Sequence, residues 1–345
     1  MIPLTRTAIF CAVAYLAGDA LTHGALAHEP GDFSQYFRGV TIGDPLGAAP
    51  PPGLYFQNTT LYAPKAAGYG QVSAYKVNSV AVIPVLYWST GWTFLGANVA
   101  MAISQPYYQV DAWPSSAGGP PFSTSVHYPA VHNTWINPLT LSWNFKNGWF
   151  ASTSFAVYAP TGSKYNNSPN PDYWTFEPSA AISYLGDGWN LTARFVLNFN
   201  TASDGHSGSF ASTPAAAFGV GYRSGDQAYL DLTATKKFGK WEIGPVGYLK
   251  WQLNDDRPGS GFTCAEMLAA LAATGVKCGR ATDFALGGMV GYDFGPVALK
   301  TYVTESVSTK DDFGGLLIWT KLSFRLWAPE SPEQPAERPR AIIRK

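Results

Sequence analysis

The sequence predicts an all-β fold: a transmembrane antiparallel up-and-down β-barrel of about 12 strands. Three observations carry this. Five tight turns are flanked on both sides by residues that alternate apolar and polar: Thr90-Gly91-Trp92, Asn147-Gly148-Trp149, Asp187-Gly188-Trp189, Gly239-Lys240-Trp241 and Phe294-Gly295-Pro296-Val297. Short glycine turns between period-two segments are hairpins. The first four restart on Trp, and Trp beside short turns marks a membrane rim. Finally, only 13% of the 345 residues are charged and 15% are aromatic, which is little charge for a soluble surface.

Residues 1–27 read as a secretory signal peptide. Arg6 supplies the positive start, Thr7 to Ala17 the apolar stretch, and Ala25-Leu26-Ala27 a cleavage site before His28. Cys11 follows Phe10, where a lipoprotein signal needs a small residue, so no lipidation is read there. No later segment approaches the ~18 apolar residues of a membrane helix. Lipid cannot satisfy an open sheet edge, so a membrane protein without helices is a closed barrel.

Residues 28–52 are rich in Gly and Pro and finish in Pro50-Pro51-Pro52-Gly53. They form a periplasmic arm or fold back as a lumen plug, with Phe33, Tyr36 and Phe37 as apolar contact points. The barrel follows over 53–327. Its strands are expected near 53–63, 75–88, 92–105, 133–145, 149–159, 173–185, 189–200, 226–238, 241–253, 281–294, 297–307 and 315–327. Each reaches the ~9–11 residues that a tilted strand needs to cross. Parity supports them: Trp189, Leu191, Phe195, Leu197 and Phe199 oppose Asn190, Thr192, Arg194 and Asn198. Apolar out and polar in is the barrel pattern, inverted from a soluble sandwich. An even count puts both termini and the short turns on the periplasmic side. The long connections 64–74, 106–132, 160–172, 201–225, 254–280 and 308–314 then face outward. Residues 328–345, with four prolines among charges, read as a disordered periplasmic tail.

The run from Phe37-Arg38-Gly39-Val40-Thr41 through Ile42-Gly43-Asp44-Pro45-Leu46-Gly47 to Pro50-Pro51-Pro52-Gly53-Leu54-Tyr55-Phe56 resembles the mature N-terminus of the MetA-pathway of phenol degradation family, also called SphA-like. The Gly-Trp hairpins are similar too, so the resemblance extends over most of 37–327. It implies an outer-membrane channel or transporter associated with breakdown of aromatic or other hydrophobic compounds. It brings no catalytic residues.

Nine ionisable residues on inward parity are the lumen-lining candidates: Glu177, Arg194, Asp231, Lys237, Glu242, Lys250, Asp283, Lys300 and Arg325. Asp293 and Lys321 share that parity. Mixed charge around water passes polar or amphipathic solutes with weak ion selectivity; alternatively, the groups pair and fill a narrow barrel. Trp92, Trp149, Trp189 and Trp241 form the expected aromatic girdle. Outer-loop aromatics, among them Tyr107, Tyr108, Trp113 and Tyr173, would suit an apolar ligand at the mouth, although interface anchoring accounts better for Tyr173. Cys264 and Cys278 share one loop of an exported chain and are expected to form a disulfide, which contributes roughly 3 kcal/mol for a loop of roughly 15 residues. Glu266 to Ala273 reads as a short helix between them. No metal or cofactor is expected.

An enzyme must also be weighed, because some outer-membrane barrels are phospholipases with a Ser and His on the wall. His132 precedes a strand holding Ser142 and Asn144. A nucleophile needs its base within hydrogen-bond reach, and ten residues of strand span roughly 33 Å. A purely structural or adhesive barrel is the third class. Net charge is zero with no long basic run before the tail, so no nucleic-acid partner is expected. The reading is a passive outer-membrane channel for small hydrophobic or aromatic solutes, with no enzymatic activity. Its partners are outer-membrane lipid, the solute and the barrel-assembly machinery of a Gram-negative-type cell.

Overall fold

The computed structural model describes residues 34–69, 75–114, 126–163, 170–203, 223–257 and 280–329. The signal segment, the loop carrying Cys264 and Cys278, its expected helix and tail residues 330–345 lie outside the described residues.

The strands are β1 (Gly53–Gly68), β2 (Tyr75–Phe94), β3 (Ala97–Ser104), β4 (Tyr107–Pro114), β5 (Val126–Val131), β6 (Thr134–Lys146), β7 (Trp149–Ala159) and β8 (Thr175–Tyr184). They continue as β9 (Trp189–Asn200), β10 (Gln227–Phe238), β11 (Trp241–Gln252), β12 (Thr282–Asp293), β13 (Val297–Lys310), β14 (Phe313–Gly314) and β15 (Leu316–Trp327). β3 and β4 run end to end along β2, β5 and β6 continue one another, and β14 leads into β15. The segments therefore make twelve antiparallel staves. β1 pairs with both β2 and β15, which closes the barrel and leaves no sheet edge.

Alternation fixes the two faces. In β9, Trp189, Leu191, Phe195 and Phe199 are exposed while Asn190, Thr192, Arg194 and Val196 are buried. The same order runs round the wall, so Leu86, Ile103, Leu139, Ile182, Leu286 and Val303 all stand exposed on the outside. An apolar band of this extent needs an apolar surrounding. The buried apolar side chains lie inside, where Tyr248, Met289, Tyr302 and Trp319 pack with Ile42 from the segment before β1. That inner core is a feature that polar-in parity did not anticipate.

One hairpin moves. Thr90-Gly91-Trp92 is a bulge inside β2, marked by the register shift between Ser89 and Thr93, with the Thr90 hydroxyl donating to the carbonyl of Val99 at 2.7 Å. The chain reverses at Leu95-Gly96, where φ is 49° and 74°. Two positive φ values suit the twist of a tight hairpin, but Leu rarely adopts one, so the true turn carried no sequence signal. Asn147-Gly148 and Asp187-Gly188 also have positive φ at both residues, and those turns lie where the sequence placed them.

The staves also run further toward the long-loop end. β4 and β5 fall inside the expected loop 106–132, and their alternation was hidden by breaks at Gln105-Pro106 and His132-Asn133. The two breaks lie side by side and are bridged by the His132 amide donating to the carbonyl of Pro106 at 2.9 Å.

Candidate functional site

Residues 34–52 lie inside the barrel. The backbone descends through tight turns, with amides of Val40, Ile42 and Asp44 donating to carbonyls of Phe37, Gly39 and Thr41. Three glycines let it sit against the wall. Gly39 and Gly43 hold φ of 80° and 86°, and a Cβ on Gly47 would stand 2.7 Å from the Ser183 amide nitrogen and 2.8 Å from the Phe150 carbonyl.

Backbone groups without strand partners need others when buried, and the inner wall supplies them. Gly43 donates to the Thr233 hydroxyl at 2.8 Å, Gly47 to Ser183 at 2.9 Å and Ala49 to Ser142 at 3.0 Å. Its carbonyls accept as well: Gly39 from Tyr302, Ile42 from Lys321, Gly43 from Lys300, Leu46 from Ser152 and Pro50 from Ser89. Asp231 alone accepts from the Tyr36 hydroxyl, the amides of Gly39 and Thr41, and the Thr41 hydroxyl.

Charges fasten the two ends. Near the long loops, Arg38 reaches Asp283 at 3.1 Å and Asp312 at 2.9 Å, and Lys250 reaches Asp312 at 2.7 Å. Burial alone would lower the pKa of Arg38, but Asp312 and then Asp283 outweigh it and hold the guanidinium firmly charged. Lower down, Lys321 meets Asp44 at 2.6 Å and Lys300 meets Glu242 at 3.1 Å. Removing one member of a buried pair costs about 3–5 kcal/mol, because the other is left uncompensated.

Beside the segment is a cavity of about 600 Å³. One wall is the segment itself, through Phe37, Thr41, Pro45 and Leu46. The other includes Gln57, Ile83, Val85, Tyr87, Ala102 and Trp135. The lining reaches the short-turn rim at Leu185, Lys240 and Asp293 and extends to Pro106 and Tyr158 toward the long loops. Behind Phe37 and Tyr158 stands His132, with ring centroids at 5.1 and 5.9 Å, and Tyr108 lies 5.6 Å from the same imidazole. Burial lowers the pKa of His132 to about 4, against a weaker upward pull from the backbone of Asn133.

The sequence profile of the family described as putative MetA-pathway of phenol degradation matches residues 63–322. The chain belongs to that family. The matched range begins within β1, so membership rests on the wall and not on the glycine-rich segment. The COG4313 outer membrane channel from Pseudomonas putida F1 is similar in structure, with a TM-score of 0.64 and 11% identity over 82% of this chain and 98% of that one. At that identity the likeness shows the fold. The translocator domain of the autotransporter NalP from Neisseria meningitidis gives a TM-score of 0.46 at 12% identity, over 92% of this chain and 97% of that one, too low to argue from. No curated protein matches this sequence.

In this MetA-pathway family barrel, Glu177, Arg194, Lys237, Glu242 and Lys300 line the cavity, as does Asp293. Glu177 accepts from the Trp135 indole and from Asn198, both at 3.1 Å, and stands 3.7 Å from Arg194. Asp231, Lys250 and Asp283 are buried against the segment or its ion pairs. Arg325 is exposed near the end of β15. Trp92, Trp149, Trp189 and Trp241 are all exposed on the outer face, and the Lys236 ammonium lies 4.9 Å over the Trp189 ring. Tyr173, expected at the interface, is buried instead, with its carbonyl accepting from Gln35. Ser142 donates to the Gly47 carbonyl at 2.6 Å, while His132 packs among rings. Arg38, Asp44 and Asp312 were not singled out by sequence. The recurrence of glycine at every fourth residue, Gly39, Gly43 and Gly47, is a local sign of close approach.

Proposed function

We propose that this chain is a passive outer-membrane channel for small solutes, with hydrophobic or aromatic compounds as its cargo. The observation that carries the reading is the cavity of about 600 Å³ inside a closed barrel whose outer face is apolar. A concave site lined by Ile83, Val85, Tyr87 and Trp135 with a few polar groups suits a ring-sized apolar solute. In this reading residues 1–27 direct export and the barrel-assembly machinery inserts the wall. Trp92, Trp149, Trp189 and Trp241 then anchor the periplasmic rim, Cys264 and Cys278 brace an outer loop, and residues 34–52 act as a lumenal plug that narrows the path.

The test is liposome swelling and uptake with aromatic acids, fatty acids and sugars, comparing the full chain with a variant lacking residues 34–48. Faster passage of the aromatic and fatty acids is expected, with loss of that preference in the variant. Equal rates for sugars would overturn the cargo, and no swelling with any solute would overturn the channel.

A further inference from the structure

We infer that residues 34–52 stay in place while solute passes, and that the barrier is the ring cluster of Phe37, Tyr158, His132 and Tyr108. The inference rests on the channel reading above and names the part that moves.

The segment is fastened too thoroughly to serve as a removable stopper. Asp231 gathers two hydroxyls and two amides from one turn of it. Arg38 bridges Asp283 and Asp312 at one end, and Lys321 holds both the Ile42 carbonyl and Asp44 further down. Withdrawal would take Arg38 from Asp283 and Asp44 from Lys321, leaving both buried charges without their paired ion, while Asp312 would keep Lys250.

Those fastenings still leave space beside the segment. The cavity runs along Thr41, Pro45 and Leu46 from the short-turn rim at Lys240 and Asp293 to Pro106 and Tyr158. A path therefore exists beside the segment over much of the barrel. It stops where Phe37 and Tyr158 close the lining and His132 and Tyr108 stand behind them. Phe37 carries no polar side-chain atom and is held by packing alone, and it is only half-buried. The His132 Nε2 has no hydrogen-bond partner among the described residues. Packed rings exchange rotamers without breaking ion pairs, so this cluster is where the barrier is lowest. Its uncharged faces admit flat, apolar rings.

Two cysteines test the fixed segment: Ala49→Cys with Ser142→Cys, a pair at which the Ala49 amide already donates to the Ser142 hydroxyl at 3.0 Å and the Asp231 anchor is left intact. Planar-bilayer conductance is recorded oxidised and after reduction in the same protein. Equal conductance in both states is expected, and blockade relieved by reduction overturns the proposal. Where that pair fails to insert, Leu46→Cys with Ser152→Cys, where the Ser152 hydroxyl donates to the Leu46 carbonyl at 2.7 Å, is read in the same way. Phe37→Ala and Tyr158→Ala test the barrier, each expected to raise conductance at least twofold. Conductance that persists but is unmoved by either substitution overturns this proposal alone. Absence of conductance in the wild type and every variant overturns the channel reading and this inference with it.

Discussion

The hydroxyl of Tyr36 donates to the carboxylate of Asp231 at 2.7 Å, joining positions 195 residues apart. Through that contact a turn before the first strand is registered on β10. The Tyr36 ring also lies against Tyr229, with centroids 4.7 Å apart. The carboxylate is thus an anchor for the segment more than a lining for water.

Asp231→Ala is expected to release the upper part of the segment. Each buried donor left without an acceptor costs about 1–3 kcal/mol, and four donors converge here. Limited proteolysis of the detergent-solubilised protein should show new cleavage within 34–48 while the barrel stays intact. Unchanged protection there would sink the assignment.

Arg38 and Asp283 should behave as a coupled pair. Arg38→Met leaves Asp283 and Asp312 with Lys250 as the nearby cation, and Asp283→Asn leaves Arg38 with Asp312. Combining the two should restore part of the loss, with a coupling energy of about 1–3 kcal/mol. Chemical unfolding in detergent measures it, and strict additivity would show that the pair is incidental.

Two glycine substitutions should separate close approach from turn strain. Gly47→Ala drives a methyl into strand backbone at 2.7 and 2.8 Å, which neither strand can yield. Gly239→Ala meets nothing within 4 Å and only adds a side chain at φ 62°, costing about 1–2 kcal/mol. The thermal midpoint should fall further for Gly47→Ala, by about 3 kcal/mol equivalent. Reversed ranking would mean that the segment can shift away from the wall.

Acid should loosen the ring cluster. Burial holds the pKa of His132 at about 4 in the closed structure against the ordinary 6.5 of a free imidazole, so an opened or unfolded state binds the proton first. The packing is at full strength above about pH 6.5 and weakens as pH falls toward 4, by about 2 kcal/mol at pH 5. Tyr108 and Tyr158 are its titratable neighbours, and neither ionises in that range. Conductance should rise between pH 7.5 and pH 5 in the wild type and stay level in His132→Gln. A parallel rise in both would place the sensor elsewhere.

The wall was legible because its signals are local. Alternation in β8, β9 and β15 and turns such as Asn147-Gly148 are read from neighbouring residues, and side-chain period two leaves little freedom. The hairpin at Leu95-Gly96 was not legible, since Leu in the left-handed region has no propensity to announce it. The site was legible only in halves. Inward parity located Asp231, Lys250 and Asp283 but not their partners: Tyr36, Arg38 and Thr41 sit in a segment whose composition resembles a loose arm, and Asp312 sits in the turn after β13. Distance along the strand sets His132 aside as a base for Ser142, but its packing against Tyr108 of β4, Tyr158 of β7 and Phe37 is made only by the fold. Trp319 shares the inward parity of Lys321, but its stacking against Tyr302 joins two strands and has no local signal.

Because residues 34–52 pack into one continuous inner core and leave a cavity beside it, the barrel is two materials side by side. The core, which runs from Leu61 and Ala81 round to Tyr248, Met289 and Trp319, behaves as a folded protein turned inside out, intolerant of change at any of them. Tyr87 and Ala102 line the cavity outside that core. An engineer wishing to pass a different molecule would re-line those two positions, leaving the core to keep the tube standing.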